Sequence, residues 1–439
     1  MPNGTTGCLV LVAILWIGSV TSRFTGFNRK YSRSGIIYPQ RYHRQSQISD
    51  NDLVNSSAET FIELVSQAGY EAEEHAVTTE DGYILTAHRI PSGPKSPAAN
   101  GKPVVLLLHG LLGASDVWVL RGSRRDLAFM LVDEGYDVWV FNARGNFYSR
   151  RHERLSPDNA QFWRFSWHEI GTYDTAATID YILSITGQSQ VSLVGYSMGG
   201  TVELVLLSKR PEYNLKVNVV LLWAPVAIVT HDLPGLFASV GIRYGNQIED
   251  ALRLLNRHEL FSRNSINMST YARLCLSRST QSICQRLVQY LTGLTNFEAF
   301  DLVMLPRLLN HYPQGTSVDT FMHYRQITIS GKFQQFDFGP KENLFKYQSV
   351  KPPEYPLDKI SAPCYLYYAA NDPFTTRTDI DAVRNKLLTT TVREIQHSKF
   401  SHLDFLFLNE TEKFLYNDVL NVLNDHNIPF NGTQNIINA

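Results

Sequence analysis

The sequence predicts an α/β fold: a mostly parallel central sheet flanked by helices, with an inserted, largely helical region. Three observations carry this expectation. First, the short apolar runs 103–108, 136–141, 191–194 and 216–223 read as buried strands, and helical patterns at 124–134, 170–185 and 201–209 alternate with them. Strands alternating with helices argue a parallel sheet with both faces covered. Second, the alternation stops after Pro225, and residues 227–356 hold helical pieces such as 248–261 and 281–294 instead. Third, an apolar run at 364–369 and a helical pattern at 413–423 resume the first style, so a sheet is interrupted and later completed.

Ahead of the sheet, residues 56–59 (SSAE) form a capping-box pattern, followed by Phe61, Leu64, Val65 and Ala68 on one helical face before Gly69. Alternating residues around 75–79, the turn Glu80-Asp81-Gly82 and the run 83–90 predict a hairpin. The expected organisation is therefore a signal peptide at 1–22, a disordered or removable leader at 23–54 and a first core part at 55–226. A cap or lid insertion at 227–356, a second core part at 357–425 and a tail at 426–439 follow.

The apolar run 8–20 is short for a membrane span, and small residues at 20–22 suit cleavage, so secretion is expected, with a signal anchor as the alternative. Secretion makes the remaining cysteines interpretable. Cys275 and Cys284 close a short loop, where a bridge would stabilise by about 3 kcal/mol in the chain-entropy argument. Cys364 sits in an apolar run and reads as a buried free thiol. Sequons place glycosylation candidates at Asn55, Asn267, Asn409 and Asn431. A net charge of −1 over 439 residues gives no electrostatic footprint for nucleic acid.

The chain is organised around the run 191–200 (VSLVGYSMGG). A buried strand runs into Gly195-Tyr196-Ser197-Met198-Gly199 and then into a helix, the context a G-x-S-x-G nucleophile turn requires. Ser197 is the candidate nucleophile. A pentapeptide alone is a weak signal, equally read as a Gly-rich turn with a surface serine, so the remaining groups decide. The strand ending at Ala370 delivers Asn371-Asp372-Pro373, which makes Asp372 the candidate acid. His402, on a loop before the last helix, is the candidate base, with His397 as its competitor. Acyl transfer also needs donors for the oxyanion. The run 108–113 (LHGLLG) follows a buried strand directly, so the amides of Leu111 and Met198 are the candidate pair, each typically worth about 3–4 kcal/mol.

With these residues in place, the chain resembles the acid lipase family, the gastric and lysosomal acid lipases and their insect relatives. The resemblance runs from about residue 55 to 418. It rests on 79–85 (TEDGYIL), 109–112 (HGLL), 142–146 (NARGN), Phe162-Trp163 with Phe165-Ser166, the elbow itself, 311–317, Asn371-Asp372 and 402–405 (HLDF). It implies an α/β-hydrolase fold, a Ser197–Asp372–His402 triad, a mobile lid after Pro225 and a Cys275–Cys284 disulfide. Three positions depart from the family: Tyr196 and Met198 flank the serine in place of His and Gln, and Ser401 stands where an asparagine is usual.

The expected function is a secreted or lysosomal lipase acting on neutral lipids at a lipid–water interface. A soluble-ester esterase or acyltransferase, or a lipid carrier on a lipase scaffold, are the alternatives. No metal or organic cofactor is implied, since ligand spacing of His and Cys is absent. Oligomeric state is unread.

Overall fold

The computed structural model describes residues 59–263, 280–292 and 304–427. The signal and leader segments, Cys275, Asn55, Asn267 and Asn431 lie outside the described residues.

The first helix, Phe61–Gln67, opens on a capping box four residues later than the sequence suggests. Thr60 is the N-cap, its hydroxyl accepting from the Glu63 N–H, while the Glu63 carboxylate accepts from the Thr60 N–H at 2.7 Å. Both Ser56–Glu59 and Thr60–Glu63 satisfy the Ser/Thr-x-x-Glu spacing, so the pattern alone does not choose between them.

Among the described residues, nine strands form one sheet. They are β1 (Glu73–Thr78), β2 (Tyr83–Ile90), β3 (Val104–Leu108), β4 (Asp137–Val140), β5 (Arg151–His152), β6 (Val191–Tyr196), β7 (Val217–Trp223), β10 (Cys364–Tyr368) and β11 (Thr390–Glu394). Two more, β8 (Glu259–Leu260) and β9 (Thr316–Ser317), form a small antiparallel pair of their own. The order in the large sheet is β1-β2-β4-β3-β6-β7-β10-β11, with β5 attached to β2. The β1–β2 hairpin and the β2–β4 contact are antiparallel, and the pairs from β4 through β11 are parallel.

Both faces of the parallel part are buried. Along β3, Val105 and Leu107 pack with Trp118, Phe129, Trp223 and Tyr416 on one face, while Leu106 and Leu108 pack with Trp139, Trp167, Leu204 and Leu222 on the other. The period of two divides one apolar run between two cores, which is why the run carries no polar residue.

Between Trp223 and Cys364 the chain leaves this sheet. Its described part holds the β8–β9 pair and the helices Leu236–Leu254, Gln281–Thr292, Leu305–His311, Val318–Ser330 and Pro340–Tyr347. The helix expected at 248–261 begins a dozen residues earlier and ends at Leu254. No helix among the described residues is long and apolar enough to cross a membrane.

Candidate active site

The strand β6 ends at Tyr196 and the helix Met198–Lys209 begins two residues later, leaving Ser197 alone to reverse the chain. It does so at φ 55°, ψ −112°, a conformation that costs of order 1–3 kcal/mol for a residue with a Cβ. Its N–H is held by the Trp223 carbonyl of β7 at 2.8 Å. The turn also needs Gly199, because a Cβ there would fall on the backbone carbonyl of Leu108. Strand β3 and the elbow can thus approach closely only with glycine between them.

Asp372 follows β10 on a turn closed by its own N–H to the Ala369 carbonyl at 3.1 Å. His402 lies between β11 and the short helix Asp404–Phe407. All three candidates therefore stand beyond the carboxyl ends of parallel strands, where open α/β sheets place their ligands. The structure brings them into one hydrogen-bonded chain. His402 Nε2 lies 2.9 Å from Ser197 Oγ, and His402 Nδ1 lies 2.7 Å from Asp372 Oδ2. His397, the competitor, bonds its own turn instead, its Nδ1 accepting from the Lys399 N–H.

The acid is well anchored. Asp372 Oδ1 accepts from the Phe374 N–H at 2.8 Å and the Thr375 N–H at 3.3 Å, and Oδ2 also accepts from the Thr375 hydroxyl at 2.9 Å. These bonds leave Oδ2 one lone pair, aimed at the imidazole. Ser197 and His402 are each 7% exposed and Asp372 3%, so the chain is shielded from bulk water.

The turn carrying the first oxyanion candidate is built around His109. Burial pulls the His109 imidazole down to about 4, so it is neutral in the working range. Its Nε2 lies 3.2 Å from the Ala143 N–H, which can only donate. The proton must therefore reside on Nδ1, which donates to the Gly110 carbonyl at 2.8 Å. That carbonyl also accepts from the Gly113 N–H at 3.0 Å. Since Gly110 C=O and Leu111 N–H share one peptide plane, these two bonds orient the Leu111 donor. Met198 sits at the first helical position, where an N–H has no intrahelical acceptor and the helix dipole favours negative charge.

The family departures have structural consequences. The Tyr196 hydroxyl donates to the His402 carbonyl at 2.9 Å, tying the elbow to the base loop. The Ser401 N–H donates to Asp404 Oδ2 at 2.8 Å. In the sequence Asp404 enters only as part of the run 402–405, with no role of its own. Burial, with the Asp372 charge adding to it and the Ser401 N–H opposing, pushes its carboxyl up to about 7. A carboxyl raised in the folded state keeps its stabilising effect below about pH 4 and loses it as pH rises through about 7. Asp404→Asn should therefore gain stability over the wild type between pH 5 and pH 8, by at most about 4 kcal/mol. Urea midpoints at both pH values check this.

Two further sequence candidates are partly visible. Cys284 is disulfide-bonded, and Cys275, its expected partner, lies outside the described residues. Asn409 is exposed, with its side-chain oxygen accepting from Arg125 at 2.8 Å. Cys364 is buried and free, and burial pushes its thiol up to about 12, which makes it unreactive. Among the described residues no cluster of three or more His, Cys, Asp or Glu side chains could hold a metal ion.

Residues 61–122 match the family described as a partial α/β-hydrolase lipase region, and residues 103–224 the α/β-hydrolase fold family. Lipase 3 of Drosophila melanogaster is 38% identical over 360 residues, covering 82% of this chain and 91% of that protein. The gastric triacylglycerol lipase of Bos taurus is 34% identical, covering 82% and 90%. The human lysosomal acid lipase/cholesteryl ester hydrolase is also 34% identical, with the same coverage of 82% and 90%. Identity at this level across nearly the full length of several such proteins is decisive: the chain belongs to the acid lipase family of α/β-hydrolases.

Proposed function

We propose that this chain is a serine lipase that hydrolyses carboxylic ester bonds of neutral lipids, triacylglycerols or sterol esters, after passage through the secretory pathway to the cell exterior or the lysosome. The observation that carries the reading is the Ser197–His402–Asp372 chain of hydrogen bonds at 2.9 and 2.7 Å. The names of the relatives, a triacylglycerol lipase and a cholesteryl ester hydrolase, support the substrate class. Shielding of the serine from bulk water suits an apolar ester.

In this mechanism Ser197 Oγ attacks the ester carbonyl while His402 Nε2 takes its proton. Asp372 holds the other nitrogen protonated and stabilises the imidazolium. The Leu111 and Met198 amides receive the oxyanion. His402 returns the proton to the departing alcohol, and a water molecule, activated by the same imidazole, then frees the acyl group from Ser197.

The test is hydrolysis of a graded ester series, from soluble short-chain esters to emulsified triolein and a cholesteryl ester, between pH 4 and 8. It is paired with labelling by an alkyl fluorophosphonate. Turnover that rises when the ester forms an emulsion, with one phosphonyl group on the Ser197 peptide, is expected. Turnover restricted to soluble esters would assign an esterase instead. Lipid binding with neither turnover nor label would assign a carrier.

A further inference from the structure

The oxyanion turn contains strain that its own residues do not hold. Leu112 adopts φ 60°, a left-handed conformation that costs a residue with a Cβ roughly 1–2 kcal/mol. Such a residue stays there only if the peptide planes on both sides of it are fixed from outside. Both are fixed by one short segment some two hundred residues downstream. The Tyr312 hydroxyl donates to the Leu111 carbonyl at 2.9 Å, and the Gln314 N–H donates to the Leu112 carbonyl at 2.9 Å.

The segment is itself secured to the core. His311 Nδ1 lies 2.8 Å from Asp116 Oδ2, and the other oxygen of that buried carboxylate accepts from the Tyr148 hydroxyl at 2.7 Å. Gln314 Nε2 donates to the His311 carbonyl at 2.5 Å, and β9 pairs with β8 immediately afterwards. With His109 on the Gly110 carbonyl and Asn146 Nδ2 3.5 Å from the Gly113 carbonyl, each carbonyl from Gly110 to Gly113 has a partner. Core residues hold its two ends, and the 312–314 segment holds its middle.

We propose that Tyr312, together with the Gln314 backbone, is a positioning element for the oxyanion hole, locking the strained Leu112 so that the Leu111 N–H stays aimed at the carbonyl attacked by Ser197. The inference rests on the reading of Leu111 as an oxyanion donor. It gives the loop between the helix Leu305–His311 and β9 a part in transition-state stabilisation, separate from any role in covering the site.

Tyr312→Phe removes the hydroxyl and keeps the ring. Turnover, counted per fluorophosphonate-titrated site so that unfolded protein is excluded, should fall about 10- to 100-fold while KM changes less than twofold. The inhibition constant of an alkyl boronic acid, whose tetrahedral Ser197 adduct places a charged oxygen in the oxyanion position, should rise by the same factor. A purely structural tyrosine would lower the unfolding midpoint without changing boronate affinity relative to substrate. Placed in a Leu112→Gly background, where the left-handed φ carries no penalty, Tyr312→Phe should cost less than threefold. Turnover within twofold of wild type with unchanged boronate affinity, or an undiminished loss in the Leu112→Gly background, overturns the proposal. Absence of phosphonate labelling in the wild type would instead overturn the lipase reading on which it rests.

Discussion

Replacing Ser197 by alanine should lower kcat by about six orders of magnitude and leave lipid binding intact, the largest loss any single change in this chain should produce. The serine lies 2.9 Å from His402, and without its hydroxyl no acyl-enzyme forms. What remains is catalysis by the oxyanion donors acting on water, roughly 10³–10⁴ over the uncatalysed rate. His402→Ala should cost about as much, and the double variant no more than either single one, because the pair acts as a unit. Asp372→Asn should cost about 10⁴ for a different reason. The amide oxygen it introduces can keep the Phe374 and Thr375 N–H bonds that Asp372 accepts, so the turn survives. The new NH₂, however, would donate to His402 Nδ1, forcing the imidazole proton onto Nε2, where it faces Ser197 and cannot accept. Single-turnover acylation with a chromogenic ester separates the cases. More than about 1% residual acylation by Ser197→Ala would remove the serine from the mechanism.

These three residues are legible because each occupies a position that local chemistry marks. Ser197 sits between glycines that a tight strand-to-helix turn demands, and the structure shows the Leu108 carbonyl filling the space a side chain at Gly199 would take. Asp372 and His402 follow the last strands in the order that a resumed parallel sheet implies. The hairpin, the buried strands and their flanking helices are legible for the same reason, since their signals lie within a dozen residues.

Other features depend on distant partners and leave no local mark. Strand β11 (Thr390–Glu394) has Val392 as its one apolar residue in five and closes the sheet edge, so it lacks the apolar run that identifies its neighbours. The helix Leu236–Leu254 starts well before its expected position near residue 248 and carries Gly241 and Gly245 in its interior. Gly245 is in fact where the Arg325 side chain crosses the helix, leaving no room for a Cβ. The Tyr312–Leu111 bond joins residues 201 positions apart, and nothing at either end announces the other. Motifs mark the groups that would react, while the groups that hold them in place become visible only in three dimensions.

Arg144→Met should be the most destabilising single substitution among these supports, by about 3–5 kcal/mol, because it strands buried charge. Arg144 is 1% exposed and joins three parts of the chain. Its Nε donates to Asp174 Oδ1 at 2.7 Å, and Nη1 and Nη2 reach the two oxygens of Asp81 in the hairpin turn at 2.6 and 2.8 Å. Its guanidinium lies 3.9 Å over the Tyr83 ring. Methionine fills much of the volume but leaves the fully buried Asp174 without its cation. Burial already drives that carboxyl upward against the pull of Arg144, so in the variant it must fold protonated. A carboxyl raised in this way loses stability as pH rises, so the deficit of Arg144→Met should be larger at pH 8 than at pH 5. Adding Asp174→Asn removes the stranded charge and should recover part of the loss at pH 8, as read from urea midpoints. Activity should fall with stability, because the loop behind Arg144 carries Asn146, whose amide lies 3.4 Å from His109 Nε2 and so supports the oxyanion turn. An equal deficit at both pH values would mean that packing over Tyr83, not charge, is what Arg144 contributes.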